Sequence, residues 1–311
     1  MKKCLIIDRT HACIIPLLKE IGYRADYHPG LSRAEVLERI TDYDGLIVRS
    51  KLAVDRELLE RAERLRFVGR AGAGLDLLDL EALHRRGIQV VNAPEGNRDA
   101  LAEHMVGMLL CLLNKIHQAD RQVRRGIWDR EGSRGTELMG KTVGLVGYGY
   151  MGQAFARRLS GFGVEVLAYD KYKQNYGDEY ATEAAMEELY ERTDILSFHV
   201  PLTEETHRYV NEAYLNRFQK DIFLLNSARG KIITFRTLAE SIRRGKIRGA
   251  ALDVLENEQL TQLSDEQRHY LDELIASDRV LFTPHVAGWT HESYEKISRV
   301  LAEKIAALKL A

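Results

Sequence analysis

Short apolar runs of four to six residues alternate along most of this chain with longer stretches whose apolar positions recur every three or four residues. In the first third the runs at 4–7, 45–48, 67–69 and 89–91 read as strands, and the segment 32–40 reads as a helix. Ser32 is placed to cap that helix, with Glu35 three residues on. The same alternation restarts at 143–146 and continues through 164–169, 195–200, 222–226, 249–253 and 280–283. Strands separated by helices imply parallel sheets covered on both faces, so the pattern predicts two α/β domains. Between them, 98–125 reads as one long helix ending at Gly126, with Met105, Met108, Leu109, Leu112 and Ile116 on an apolar side that packs on the core or partly on another subunit. The polar, acid-rich stretch 256–273 reads as a surface excursion before the last strand.

Totals narrow the functional classes. The 311 residues suffice for two domains, and 45 basic side chains nearly balance 46 acidic ones. That balance argues against a nucleic-acid or anionic-membrane binder. Cys4, Cys13 and Cys111 form no CxxC pair, and the opening MKKCLIID has too short an apolar run for a signal peptide. No run approaches the length that spans a bilayer. The expectation is a soluble, cytoplasmic protein without metal, nucleic-acid or membrane partners.

The stretch KTVGLVGYGYMGQAFARRLSGFGVEVLAYD carries the first chemistry. An apolar strand runs straight into Gly147, Gly149 and Gly152, and a helical pattern follows over 153–160. Such a turn lets the backbone approach a pyrophosphate at a helix N-terminus. The next strand ends in Asp170, whose carboxylate suits the ribose hydroxyls of an adenosine and repels a 2′-phosphate, which favours NAD over NADP. Lys171 and Lys173 work against that preference. Glycines serving only a tight turn would give the same spacing.

Further along, strand ends carry Arg229 in FLLNSARG, Asp253 and then Glu258 in ALDVLENE, and His285 in LFTPHVAG. The carboxyl ends of parallel strands are where open α/β sheets bind ligands. A solvated arginine, a surface carboxylate and a structural histidine remain the plain alternatives for each residue alone.

Taken in order, GYGYMG with Asp170, HVPLTEET, NSARG, ALDVLENE and TPHVAG resemble the successive motifs of the NAD-dependent D-isomer-specific 2-hydroxyacid dehydrogenases. VRS at 48–50, GRAGAGLD at 69–76 and NAPEGNRDALAEH at 92–104 extend the resemblance over nearly the whole chain. It implies a discontinuous substrate-binding domain, 1–95 plus 287–311, with an NAD-binding Rossmann domain, 96–286, inserted into it and the active site in the cleft. It also implies hydride transfer between NAD(H) and a 2-hydroxy or 2-keto acid. Arg229 would bind the carboxylate, His285 would be the acid–base group and Glu258 would hold its imidazole. The implied cofactor set is Gly147, Gly149, Tyr150, Met151, Gly152, Asp170, His199, Val200, Pro201, Thr206, Ser227, Ala228, Asp253 and Gly288. The implied substrate set is Arg49, Ser50 and Lys51, with backbone N–H groups at Ala73 and Gly74 in a loop entering a helix. His104 is expected to anchor its helix.

Two positions depart from the family pattern: Gln259 follows Glu258 where proline is usual, and Phe235 stands where an acid is frequent. WDREGSRGTELMGKTVG is similar to the same region of D-3-phosphoglycerate dehydrogenases, and Arg49, Lys51, Arg98 and Arg134 could meet a substrate phosphate. Glyoxylate, hydroxypyruvate and D-lactate remain alternatives, as does a dinucleotide-sensing binding protein on the same fold. The chain ends at Ala311, so no C-terminal regulatory domain or serine feedback is expected, and the expected assembly is a homodimer.

Overall fold

The computed structural model describes residues 1–310, which form two compact units, Met1–Arg98 joined by the segment from Trp289 onward, and Asp99–Gly288. Ala311, which the sequence reading assigns to the first unit, lies outside the described residues. The boundaries fall slightly beyond 95 and 286 for local reasons. A Cβ at Gly96 would lie 2.6 Å from the Cα of Ile297, which ties the first turn of the helix Pro94–Leu113 to the C-terminal helix His291–Ala307. The amides of Val286 and Ala287 are held by Asp253 in the second unit.

The first unit is a five-stranded sheet in the order β2-β1-β3-β4-β5, formed by β1 (Lys2–Ile6), β2 (Tyr23–Tyr27), β3 (Gly45–Val48), β4 (Phe67–Arg70) and β5 (Gln89–Asn92). All its pairings are parallel. Side chains alternate between two cores as the strand period requires. Leu5, Leu46, Val48 and Val68 enter one core, while Cys4, Ile6, Ile47 and Phe67 enter the other with Leu301 and Ile305 of the C-terminal helix.

The second unit is a seven-stranded sheet of β6 (Thr142–Val146), β7 (Glu165–Tyr169), β8 (Thr182–Glu183), β9 (Ile195–Phe198), β10 (Ile222–Asn226), β11 (Ile247–Leu252) and β12 (Val280–Phe282). Its order is β12-β11-β10-β9-β6-β7-β8, all parallel. Strand order reverses between β6 and β9, the point at which doubly wound sheets open a crevice. Here too alternate residues of β10 divide, with Ile222 and Leu224 in one core and Phe223 and Leu225 in the other.

Several sequence expectations need correcting. The long helix is two, Pro94–Leu113 and Ile116–Arg124, broken where Lys115 takes a left-handed φ of 53°. Met105, Met108, Leu109 and Leu112 lie in the core, but Ile116, on the second helix, is 54% exposed. The strand β2 has no apolar run because it is an edge strand paired only with β1. Within the expected polar excursion, Asp265–Ala276 is a helix capped by Ser264 and Gln267, burying Leu271 and Leu274.

Candidate active site

Register aligns the site of the second unit. Val146 pairs with Tyr169 and Phe198, Asn226 with Phe198 and Leu252, and Leu252 with Phe282. The next residue of each strand is therefore, in sheet order, Asp170, Gly147, His199, Ser227, Asp253 and Thr283, one row along the carboxyl edge. Candidates scattered over more than a hundred residues of sequence are neighbours there, because adjacent strands lie ~4.8 Å apart.

The glycine turn follows β6. Gly147 has φ +98°, and a Cβ there would sit 2.6 Å from the carbonyl oxygen of His199, so a side chain is both strained and obstructed. A Cβ at Gly152 would lie 2.4 Å from the Gly147 oxygen, which lets the helix Tyr150–Leu159 start directly against the turn. Gly149, by contrast, has no protein atom within 4 Å of a would-be Cβ. It is the N-cap of that helix and supplies no side-chain cap, so the first-turn N–H groups of Tyr150, Met151 and Gly152 face an open cradle.

Asp170 accepts hydrogen bonds from the N–H of Tyr148 (2.9 Å) and of Tyr172 (3.1 Å), which fix its carboxylate beside the turn. The two neighbouring lysines are engaged elsewhere. Lys171 pairs with Glu205 at 2.5 Å, and Lys173 donates to the Tyr148 carbonyl at 2.6 Å. Tyr148 itself is fully buried, with its hydroxyl donating to Asp178.

After β9, His199 contacts the Ser197 hydroxyl at 3.0 Å through Nε2, and burial pushes its pKa down to about 4. A neutral imidazole is the result near pH 7. Val200 abuts Gly147, and the Thr206 hydroxyl donates to the Pro201 carbonyl at 2.7 Å, closing the 201–206 turn. After β10, Ser227 is buried and its hydroxyl has no partner in the protein. An orphaned hydroxyl, an open glycine cradle and uncapped N–H groups together fit a bound dinucleotide.

The acid–base candidates sit at the other end of the row. His285 Nδ1 lies 3.0 and 3.1 Å from the two oxygens of Glu258. That hydrogen bond raises the histidine pKa above its ordinary value, against the opposing effect of burial. Burial raises the Glu258 pKa too, but the bond and charge of His285 outweigh it and leave the carboxyl below its usual range. Arg229 lowers both values, so its charge is felt at the pair. The Arg229 guanidinium also donates to the Ala228 carbonyl at 2.7 Å.

Sequence reasoning missed what holds His285. Asp253 is 2% exposed, and its carboxylate accepts from the Thr283 hydroxyl (2.6 Å), the Val286 N–H (2.8 Å) and the Ala287 N–H (2.9 Å). Its carbonyl accepts from the His285 N–H at 2.8 Å. The clamp holds His285 in a left-handed conformation, φ 58°, which non-glycine residues adopt only under constraint. His104 contacts the Thr283 hydroxyl at 3.1 Å, which ties its helix to the same network. Gly288, expected in the cofactor set, is the last residue of this unit. Phe235 is buried, and its N–H donates to Glu256, so the departure from the family pattern serves packing.

The first unit holds the remaining candidates at its own carboxyl edge. Arg49, Ser50 and Lys51 follow β3, with the N–H groups of Arg49 and Lys51 directed at the buried carboxylate of Asp8. Lys51 Nζ donates to the Pro29 carbonyl at 2.8 Å. Ala73 and Gly74 lie in the loop after β4, where the Ala73 carbonyl accepts from Asn92. That loop does not enter a helix as expected. The following helix, Leu80–Arg85, begins several residues later and is capped by Asp79. Any anion binding at Ala73 and Gly74 therefore rests on the loop's own N–H groups rather than on a helix end. Arg134, in the second unit, pairs with Glu131 on an exposed surface.

Comparison with known proteins gives the family. The family model described as D-isomer specific 2-hydroxyacid dehydrogenase, NAD binding domain, matches residues 106–287, more than half of the chain. A D-3-phosphoglycerate dehydrogenase of Methanocaldococcus jannaschii is 37% identical over 310 residues, 98% of this chain, which spans 57% of that relative's length. A glyoxylate reductase of Pyrococcus furiosus is 35% identical over 90% of this chain and 83% of its own length. Among solved structures, a D-lactate dehydrogenase of Aquifex aeolicus, complexed with NAD and lactic acid, superposes with a TM-score of 0.82 at 25% identity, covering 99% of this chain and 95% of that one. On the matched domain and on the similarity to these relatives, the chain belongs to the D-isomer-specific 2-hydroxyacid dehydrogenase family.

Proposed function

We propose that this protein is an NAD(H)-dependent oxidoreductase that interconverts a D-2-hydroxy acid and its 2-keto acid, with D-3-phosphoglycerate and phosphohydroxypyruvate as the favoured pair. The observation that carries the reading is the His285–Glu258 hydrogen bond on the same strand-end row as the dinucleotide turn. Bound NAD(H) supplies the hydride chemistry. The chain's own residues do the rest. Gly147, Gly149 and Gly152 admit the pyrophosphate, and Asp170 takes the ribose hydroxyls. Arg229 pairs with the substrate carboxylate and polarises the carbonyl. His285 gives its Nε2 proton to the carbonyl oxygen during reduction and takes it back during oxidation, while Glu258 holds Nδ1 and stabilises the imidazolium.

Phosphoglycerate is favoured because the relative sharing 37% identity carries that name and because Arg49 and Lys51 bring cations to the strand edge of the first unit. Glyoxylate or hydroxypyruvate is the second reading, supported by the Pyrococcus relative. A homodimer accounts for the exposed apolar residues Ile116, Val123, Ile127, Trp128 and Met139. Among the described residues no helix is long and apolar enough to cross a membrane, and we assign the protein to the cytoplasm.

The test is a panel of 2-keto acids, with and without phosphate, assayed with NADH and NADPH. Turnover should be best with phosphohydroxypyruvate. NADH should be preferred at least tenfold, about 1.4 kcal/mol, because neither lysine beside Asp170 is free to meet a 2′-phosphate. Tight NADH binding without turnover on any keto acid would instead make this a dinucleotide sensor.

A further inference from the structure

We propose that Trp289 is the positioning residue of an oxyanion subsite in the first unit, holding the Arg49 guanidinium by its face so that the N–H edge meets an anionic group of the substrate. The proposal rests on the reading of this unit as the substrate-holding one. The guanidinium carbon of Arg49 lies 3.7 Å from the centre of the Trp289 ring. Behind the indole stands Tyr294, edge-on at 5.0 Å, and behind that His11 at 5.8 Å, so the indole is the front of a three-ring wall. Trp289 immediately precedes the N-cap Thr290, whose reciprocal bonds with Ser293 fix the chain where it enters the C-terminal helix.

Arg49 is anchored from the other side. Its N–H is bound by Asp8 at 2.5 Å, and that carboxylate also faces the N–H of Lys51, so Asp8 serves the backbone. Among the described residues the Arg49 guanidinium makes no ion pair. Burial holds its pKa below the usual arginine range, with Asp8 opposing. A partly buried cation without a carboxylate partner is costly to keep, and stacking on an indole offsets only part of that.

The geometry explains the arrangement as a binding device. With one face covered by the indole, the guanidinium offers its coplanar N–H fork, the edge that binds carboxylate or phosphate in bidentate fashion. Register places Arg49 on the strand edge beside the Ala71–Gly74 loop, since Val48 pairs with Arg70. Strand-end position, an unpaired fork and a fixed plane together describe a receptor for one oxyanion. Two groups of the substrate have that chemistry, its carboxylate and a distal phosphate.

The experiment uses the full chain carrying Trp128→Phe, which leaves Trp289 as the single tryptophan, since the chain has two. Its fluorescence is titrated with inorganic phosphate and with oxalate, against chloride at matched ionic strength. A saturable response, abolished by Arg49→Lys, is expected. The absence of a response beyond that of chloride would overturn the proposal without altering the protein near the site.

Trp289→Leu should raise KM about tenfold while kcat changes less than about twofold, the pattern of lost uniform binding. Trp289→Phe should restore most of the loss, because a smaller ring still stacks. A KM rise confined to phosphohydroxypyruvate identifies the anion as phosphate, and an equal rise with hydroxypyruvate identifies it as the carboxylate. If Leu and Phe variants behave alike, or if only thermal stability falls, Trp289 is a packing residue and the proposal fails. Turnover with unchanged KM in these variants would sink the subsite and leave the oxidoreductase reading standing. A phosphate response in a protein that turns over nothing would do the reverse.

Discussion

Asp253→Ala and Asp253→Asn test the clamp that this carboxylate places on the segment carrying His285. The buried oxygens accept from one hydroxyl and two backbone N–H groups of the 283–287 segment. Alanine leaves the two N–H donors unpaired, while the Thr283 hydroxyl keeps His104 within reach. At about 1–3 kcal/mol for each buried orphan donor, roughly 2–6 kcal/mol of stability is lost. For a unit of this size each kcal/mol moves Tm by about 2–4 °C, so the second unit should melt roughly 4–24 °C earlier. Asparagine keeps one oxygen for Thr283 and Val286 and turns its NH2 toward the Ala287 N–H, leaving a single orphan. The loss is then about 1–3 kcal/mol, or roughly 2–12 °C. Both variants release His285 from its left-handed conformation, and a displacement on the order of 1 Å lowers kcat by about 10²-fold. Scanning calorimetry and steady-state kinetics measure the two effects. Equal melting of the Asn and Ala variants, or wild-type melting in both, would refute the clamp.

The pH dependence should follow the His285–Glu258 pair. Glu258 raises the His285 pKa, and reduction uses the imidazolium, so reductive activity is present at low pH and lost as pH rises through that pKa. Glu258→Gln should move this limb, and the acid limb of oxidation, to lower pH; superimposable profiles would remove Glu258 from the mechanism. The glycine turn gives a paired test by NADH titration and melting. Gly149→Ala should weaken NADH at least tenfold, about 1.4 kcal/mol, with little loss of stability, because only open space surrounds its Cβ. Gly147→Ala should lose both, since φ +98° adds about 1–2 kcal/mol of strain to the contact with His199. Stability lost equally in both variants would contradict the open cradle.

What the sequence determined by itself is local. Short continuous apolar runs identify ten of the twelve strands among the described residues, because each buried strand must be apolar on the two faces it presents to the helical layers. The glycine turn and Asp170 are legible because a phosphate cradle needs its residue types at fixed spacing along one strand–turn–helix. The helix at 33–39 is legible for the same reason, Ser32 and Glu35 being one turn apart. The capping pair Ser264 and Gln267 carried the same signal for the helix after it, hidden by the acids around it. Tertiary structure decided what depends on distant partners. The edge strand β2 is polar and exists because β1 supplies its hydrogen bonds. Lys115 breaks the expected helix through a backbone conformation that no residue type announces. His285 meets Glu258 across 27 positions, Asp253 grips a loop more than thirty residues away, and Arg49 meets Trp289 from the far end of the chain. Such pairs carry no periodicity in sequence, because only the parallel register of the sheet and the return of the C-terminal helix bring them within hydrogen-bond or stacking distance.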